Sequence, residues 1–292
     1  PERSGYLSFS GSSSPTDPGT FIEVKDFKGV SNPALSKNPT GESVLDPGTK
    51  PFTFEFHFSV PEETNDNQVI LQKKTEAGDG FTLFLSESAS TSTGDIVMLM
   101  SSGALSLSAS MPVKKGSFKH IAAVFNRDAG PGRIQLYDGA TLQATSSFGS
   151  FGNIDFKTSP LYIGSGSSHS MAGYTFVPAE TLSGALDDFR MWHKSKSQKE
   201  IRVQRYQEVF AQKNLKLLFR FNEPSGSFSG DGNNLVLDYS GNSLHSNISN
   251  FLMSQRSILT YGTAPIPGES RASKISLFPS FSELKTLNST LL

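Results

Sequence analysis

The chain has 292 residues, 36% hydrophobic and 11% aromatic, with a formal net charge of −1 and a pI near 6.6. That composition supports a buried core, and the even charge balance excludes a general attraction to phosphate backbones or anionic membrane surfaces, hence nucleic acid as the first partner. Cysteine is absent, which excludes disulfides and thiolate metal sites, and no apolar run reaches the roughly 18 residues of a membrane span.

Residues 6–9 and 21–24 alternate apolar and polar side chains between Ser, Gly and Pro clusters, and are predicted to be strands. Residues 25–50, with Pro33, Pro39 and Pro47, form a polar connection longer than ordinary loops, which makes it a surface excursion or a recognition loop. Residues 52–60 then place Phe52, Phe54, Phe56 and Phe58 on one face with a period of two, and that face is core. Short strand-like runs follow at 69–71, 81–85, 96–100, 105–109, 120–125, 134–137 and 161–163, a spacing that predicts a sandwich or jelly roll rather than βαβ units.

Ser197 and Glu200 form a capping-box pattern that opens the predicted helix of the domain, residues 198–210. The basic residues of the 194–205 segment (Lys194, Lys196, Lys199, Arg202 and Arg205) read as a solvated helix face. Closing strands are predicted over 215–250, so that residues 1–260 make one domain. Residues 261–292, with Pro265, Pro267 and Pro279, read as a linker or C-terminal extension, containing a short helix at 282–287 and leading to a further part of a longer protein.

The order of several segments resembles the laminin-G-like branch of the concanavalin-A-like jelly rolls, in its bacterial and phage form. The matching pieces are residues 52–60, 80–85, 116–125, 133–139 with the Asp138-Gly139 turn, 159–164, 184–192 (Gly-Ala-Leu-Asp-Asp-Phe-Arg-Met-Trp), 218–226 and 238–242. Phe118 stands where that family usually has tryptophan. The resemblance covers residues 5–250 and implies an all-β, two-sheet antiparallel β-sandwich with one short helix. By analogy it implies a non-catalytic recognition or adhesion module within a larger cell-surface, secreted or virion structural protein. Its partners would be a glycan or surface protein and other copies of an assembly, with no nucleic acid and no membrane insertion; its setting would be extracellular, on a cell or virion surface. The alternatives are a purely structural assembly module of a filament, capsid or phage tail, and a polysaccharide hydrolase. For hydrolysis the sequence lacks the alternating acids on one strand that related glucanases present, and Glu62 and Glu63 are adjacent in a turn.

Two candidate sites follow. Sugar recognition calls for an exposed aromatic platform with polar neighbours, and Tyr174, Phe176 and His169 in the 165–182 loop supply those types. Structural calcium is a further implication of the resemblance, with Asp188 as its ligand. Asp79, Asp128 and Asp231 lie in glycine-containing loops and read as turn aspartates. Asp187 and Asp188 alternate along a predicted strand, so one of them points inward, and Arg190 is placed to pair with Asp188. His57 and His120 fall within strand patterns and read as structural.

Overall fold

The computed structural model describes residues 4–12, 19–26, 43–62, 64, 67–90, 92–156, 159–171, 173–223, 234–251 and 256–259. Most of the proposed recognition loop, Asp231, the helix expected at 282–287 and the whole C-terminal extension lie outside the described residues. In chain order the strands are β1 (Ser4–Ser10), β2 (Phe21–Val24), β3 (Phe52–Ser59), β4 (Gln68–Lys74), β5 (Gly80–Ser86), β6 (Thr93–Ser102), β7 (Leu105–Lys114), β8 (Phe118–Asn126) and β9 (Arg133–Asp138). They continue as β10 (Thr141–Thr145), β11 (Leu161–Ile163), β12 (His169–Met171), β13 (Tyr174–Phe176), β14 (Ser183–Trp192), helix α1 (Gln198–Gln204), β15 (Leu215–Phe219), β16 (Leu235–Val236), β17 (Ser246–Ser249) and β18 (Arg256–Leu259).

Two antiparallel sheets result. Sheet I runs β10-β9-β8-β3-β14-β1-β18, with β15 also paired to β14; sheet II runs β16-β17-β2-β11-β4-β5-β6-β7. The inward faces meet through phenylalanines, as the period of two in β3 requires. Phe52 and Phe54 of sheet I lie 5.6 and 4.9 Å, ring centroid to centroid, from Phe81 of sheet II. Phe56 stacks on Phe189 at 6.0 Å. This is the expected sandwich.

Two glycines of the segments that match the family, Gly80 and Gly184, sit where a side chain has no room. A Cβ on Gly80 would fall 2.3 Å from the Lys73 carbonyl oxygen, and one on Gly184 would fall 2.7 Å from that of Ser59. Both also hold positive φ, at 150° and 139°, where L side chains are strained.

The other face of β3 departs from simple alternation. Thr53, Glu55 and His57 point away from the core yet are fully buried, because α1 and the segment after it cover this side of sheet I. Ile201 of α1 packs on Ala122, Val124, Tyr137 and Ala140, and the Tyr206 ring lies 5.6 Å from that of His57. The capping box forms as predicted, with the Glu200 N–H donating to Ser197 Oγ and the Ser197 N–H donating to Glu200 Oε2. The helix stops at Gln204, however, not at 210. Buried Arg190 reaches up from β14 and donates to the carbonyls of Gln204 (2.9 Å) and Gln207 (2.7 Å), satisfying helix-end acceptors without further turns.

Beneath α1 several covered polar side chains pair with one another, among them Lys196, which is buried rather than on the expected solvated face, while both ring nitrogens of His57 have no hydrogen-bond partner among the described residues. Trp192 Nε1 donates to Glu55 Oε2 (2.8 Å), Lys196 Nζ pairs with the same oxygen (2.5 Å), and that ammonium sits 4.4 Å from the Trp192 ring centroid. His57 and His120 face each other across β3 and β8 with ring centroids 5.1 Å apart. Both lie within strands as the sequence suggests, but of their four ring nitrogens only His120 Nδ1 finds a hydrogen-bond partner among the described residues, the Gly139 carbonyl (3.3 Å), and their burial comes from the helix rather than from the strand pattern.

Candidate functional site

On the outer face of sheet II, alternate residues of β4, β5 and β6 present Gln72, Thr82 and Ser101 beside an apolar strip of Val69, Phe84 and Leu99. The segment expected as an open loop at 165–182 contains a β-hairpin, β12–β13, that lies on this face. Phe176 pairs its ring with Phe84 at 4.0 Å between centroids and is buried in the apolar strip. His169, directly opposite Phe176 in the hairpin, is also fully buried.

Hydrogen bonding fixes the state of His169. Gln72 Nε2 donates to Thr82 Oγ1 (2.8 Å) and Ser101 Oγ donates to the Gly78 carbonyl (2.7 Å). Ser101 Oγ therefore accepts from His169 Nε2 (2.6 Å), and His169 Nδ1 accepts from Thr82 Oγ1 (2.8 Å). The imidazole is neutral with its proton on Nε2. Burial pushes its pKa down to about 4, with Lys74 adding to the effect. Gln72 also exchanges bonds with Ser167, receiving its backbone N–H at Oε1 and donating to its carbonyl, both at 2.8 Å.

That chain of bonds ends at the rim of an open cleft of about 600 Å³. One wall is Tyr162 of β11, whose hydroxyl donates to Glu23 Oε1 (3.2 Å) and whose pKa burial raises. The other walls come from Gln72 and Lys74 of β4, the β4–β5 turn with Thr75, Glu76 and Asp79, and the segment carrying Asp155, Ser159 and Ser167. Asp79 is held by the Gly103 backbone N–H at Oδ1 (2.6 Å). Behind this rim, buried Lys73 donates to the Ser159 carbonyl (2.5 Å) and faces Asp26 (3.4 Å) and Asp46 (3.7 Å). Burial, with Asp26 and Asp155 reinforcing it against Lys73, pushes the Asp46 carboxyl up to about 7.

The residues expected to bind sugar are thus divided. His169 and Phe176 come together, but facing the sheet: Phe176 is no exposed platform, because the apolar strip under the hairpin takes its ring. Tyr174, next to the tip at Gly173, is 45% exposed and lies outside the cleft lining. Tyr162, Gln72 and Ser167 were not singled out from sequence. Tyr162 read only as the middle of a short core strand, and its alternation out of that core is the signal that could have found it. Phe176→Ala is expected to cost about 3–5 kcal/mol of packing and to release the hairpin, seen as faster amide exchange over residues 169–176 with β5 still protected.

Asp188 does not fit a calcium ion. A bulge in β14 shifts the register against β3 between Asp187 and Arg190 and puts Asp188 at φ 50°. Its carboxylate is paired with the guanidinium of Arg190, so an added cation would meet a fixed positive charge. Asp187 is buried beside it, and burial raises its pKa well above the carboxylate range. No group of three or more His, Asp or Glu side chains able to hold a metal ion occurs among the described residues.

Known proteins share this architecture. A "putative carbohydrate binding protein" from Bacteroides ovatus superposes with a TM-score of 0.57 and 17% identity, over 91% of this chain and 62% of its own length. A heptameric SAP-like pentraxin from Limulus polyphemus gives a TM-score of 0.49 and 16% identity, over 68% of this chain and 81% of its own. The present chain thus spans less than two thirds of the Bacteroides protein. No curated protein sequence matches it. The laminin-G model of the concanavalin A-like lectin/glucanases superfamily matches residues 36–202, more than half of the chain, and the chain belongs to that family.

Proposed function

We propose that this chain is a non-catalytic carbohydrate-binding module and that the cleft on the outer face of sheet II is its ligand site. The observation that carries this reading is the pairing of one aromatic wall, Tyr162, with hydroxyl, ammonium and carboxylate groups in one open concavity. A pyranose offers an apolar face for the ring and hydroxyls for the polar groups. Gln72 braces the wall rather than meeting the sugar, since both its amide hydrogens and its oxygen are taken by Thr82 and Ser167. Tyr174 would extend the surface as a second stacking ring, while His169 and Phe176 serve the site by anchoring the hairpin. The carbohydrate-binding description of the Bacteroides neighbour agrees with this reading.

Hydrolysis needs a general acid in an enclosed, apolar setting opposite a second carboxylate. In the cleft, Glu76 is exposed and Asp79 is engaged by a backbone N–H, so neither is such an acid, and Asp46, with its carboxyl raised to about 7, lies behind the rim rather than in the lining. The module would act within a larger extracellular, cell-surface or virion protein that presents it to glycans.

A glycan array probed with the wild-type chain and with Tyr162→Ala tests the assignment. Binding to at least one glycan class is expected, weakened about tenfold or more in the variant, equivalent to roughly 1.4 kcal/mol. Equal binding by the two proteins would move the site elsewhere, and turnover of a bound glycan would overturn the non-catalytic reading.

A further inference from the structure

The charge of the ligand is the next property the cleft specifies. Glu76, Asp79 and Asp155 line it against one ammonium, that of Lys74. The nearby Lys73 does not redress the balance, because it is fully buried, donates to the Ser159 carbonyl and faces two further carboxylates, Asp26 and Asp46. On the opposite wall, the carboxylate reached by the Tyr162 hydroxyl is Glu23, itself 3.0 Å from Lys25. The Gly103 N–H fixes Asp79 from one side, so its carboxylate cannot swing away from an approaching group of like charge.

We infer that the cleft selects saccharides carrying a free amine and rejects those carrying carboxylate or sulfate groups, an inference that rests on the carbohydrate reading above. A sugar ammonium placed among Glu76, Asp79 and Asp155 makes charge-assisted hydrogen bonds to ionised acceptors, which are shorter and stronger than neutral ones. A uronate in the same place meets three like charges, and that repulsion is the discriminating element. Asp46 supplies an internal reporter. Its carboxyl is poised near neutrality and coupled to Asp155, so a cation arriving at Asp155 favours the ionised form of Asp46 and releases a proton.

The test is titration calorimetry of the full chain with three probes: a glucosamine oligomer, its N-acetylated twin and a galacturonate oligomer of equal length. Each is measured at low and high ionic strength, and in two buffers of different ionisation enthalpy. The glucosamine oligomer is expected to bind about tenfold or more tighter than its twin at low ionic strength, with an advantage that shrinks as salt screens it and with a net proton exchange that sums release from Asp46 and uptake by the sugar amine. Glu76→Gln, in an exposed turn, and Asp79→Asn, which keeps an acceptor for Gly103, should each reduce the advantage severalfold while thermal melting stays cooperative. Equal or tighter binding of the N-acetylated or galacturonate oligomer overturns the inference, as does amine binding that neither variant alters. In those cases neutral-glycan binding that Tyr162→Ala abolishes leaves the carbohydrate reading standing. Binding of no saccharide overturns both.

Discussion

Replacing Glu55 with alanine is expected to lower the free energy of unfolding by about 3–5 kcal/mol, read as a shift of the urea midpoint at unchanged slope. The side chain is fully buried and accepts from both Trp192 Nε1 and Lys196 Nζ. Its removal leaves the Lys196 ammonium, whose pKa burial already lowers, without its carboxylate, and leaves the indole N–H without an acceptor. An exposed pair gives the contrast: Lys194 and Glu200 keep about a third of their side-chain surface in water, and breaking such a pair costs about 0–1 kcal/mol. If Glu55→Ala proved as mild as that, water must reach the set beneath α1, and the helix is not the seal described here.

The second large effect is acid unfolding. Burial lowers the pKa of His57 to about 2 and of His120 and His193 to about 3, with neighbouring positive charges, and for His57 the His120 ring, adding to it. A histidine whose folded pKa is depressed contributes stability above its unfolded value, and loses it as pH falls, because the unfolded chain takes up the proton first. Buried carboxylates act with the opposite sign. Asp46, Asp187 and Asp188 have raised folded pKa values, so they favour the folded state at low pH and lose that contribution as pH rises from about 4. Between about pH 4 and 6.5 the two sets oppose each other, so the net change there is smaller than either set alone would give. Between about pH 4 and 3 these three carboxylates are protonated in both states, while the three histidines still bind protons only on unfolding. Stability should then fall by about 4 kcal/mol per pH unit. His57→Phe preserves the ring contact with Tyr206 and removes one of these groups. Its acid midpoint, followed by circular dichroism, should move to lower pH; an unchanged midpoint would show that His57 is protonated in the folded chain.

The sandwich was legible because its cause is local. A period of two in residues 52–58, Gly-led strands and a capping box each act within a few residues, and each forms as read. The end of α1 was not legible, since the group that stops it, Arg190, lies 14 residues before the Gln204 carbonyl that it binds. The pair Asp187 and Asp188 illustrates the same limit. Simple alternation puts one inward and one outward, but a bulge inserts a residue and leaves both buried, while the Asp188–Arg190 pair forms as the sequence suggests. Aromatic residues in a loop read equally well as platform or anchor, and Phe176 became an anchor because an apolar strip on a distant strand receives it. The cleft was least visible of all. Its lining is assembled from β4, β11 and two turns whose proximity depends on strand order, and no one segment carries its pattern.

The central claim is the place of binding. It is tested most directly by hydrogen–deuterium exchange of the full chain with and without the strongest ligand from the glycan array. Protection is expected in residues 72–79 and 155–167, with α1 and the rest of sheet I unchanged. Protection confined to residues 198–210, or none at the cleft despite saturation, would contradict the assignment of sheet II as the binding face.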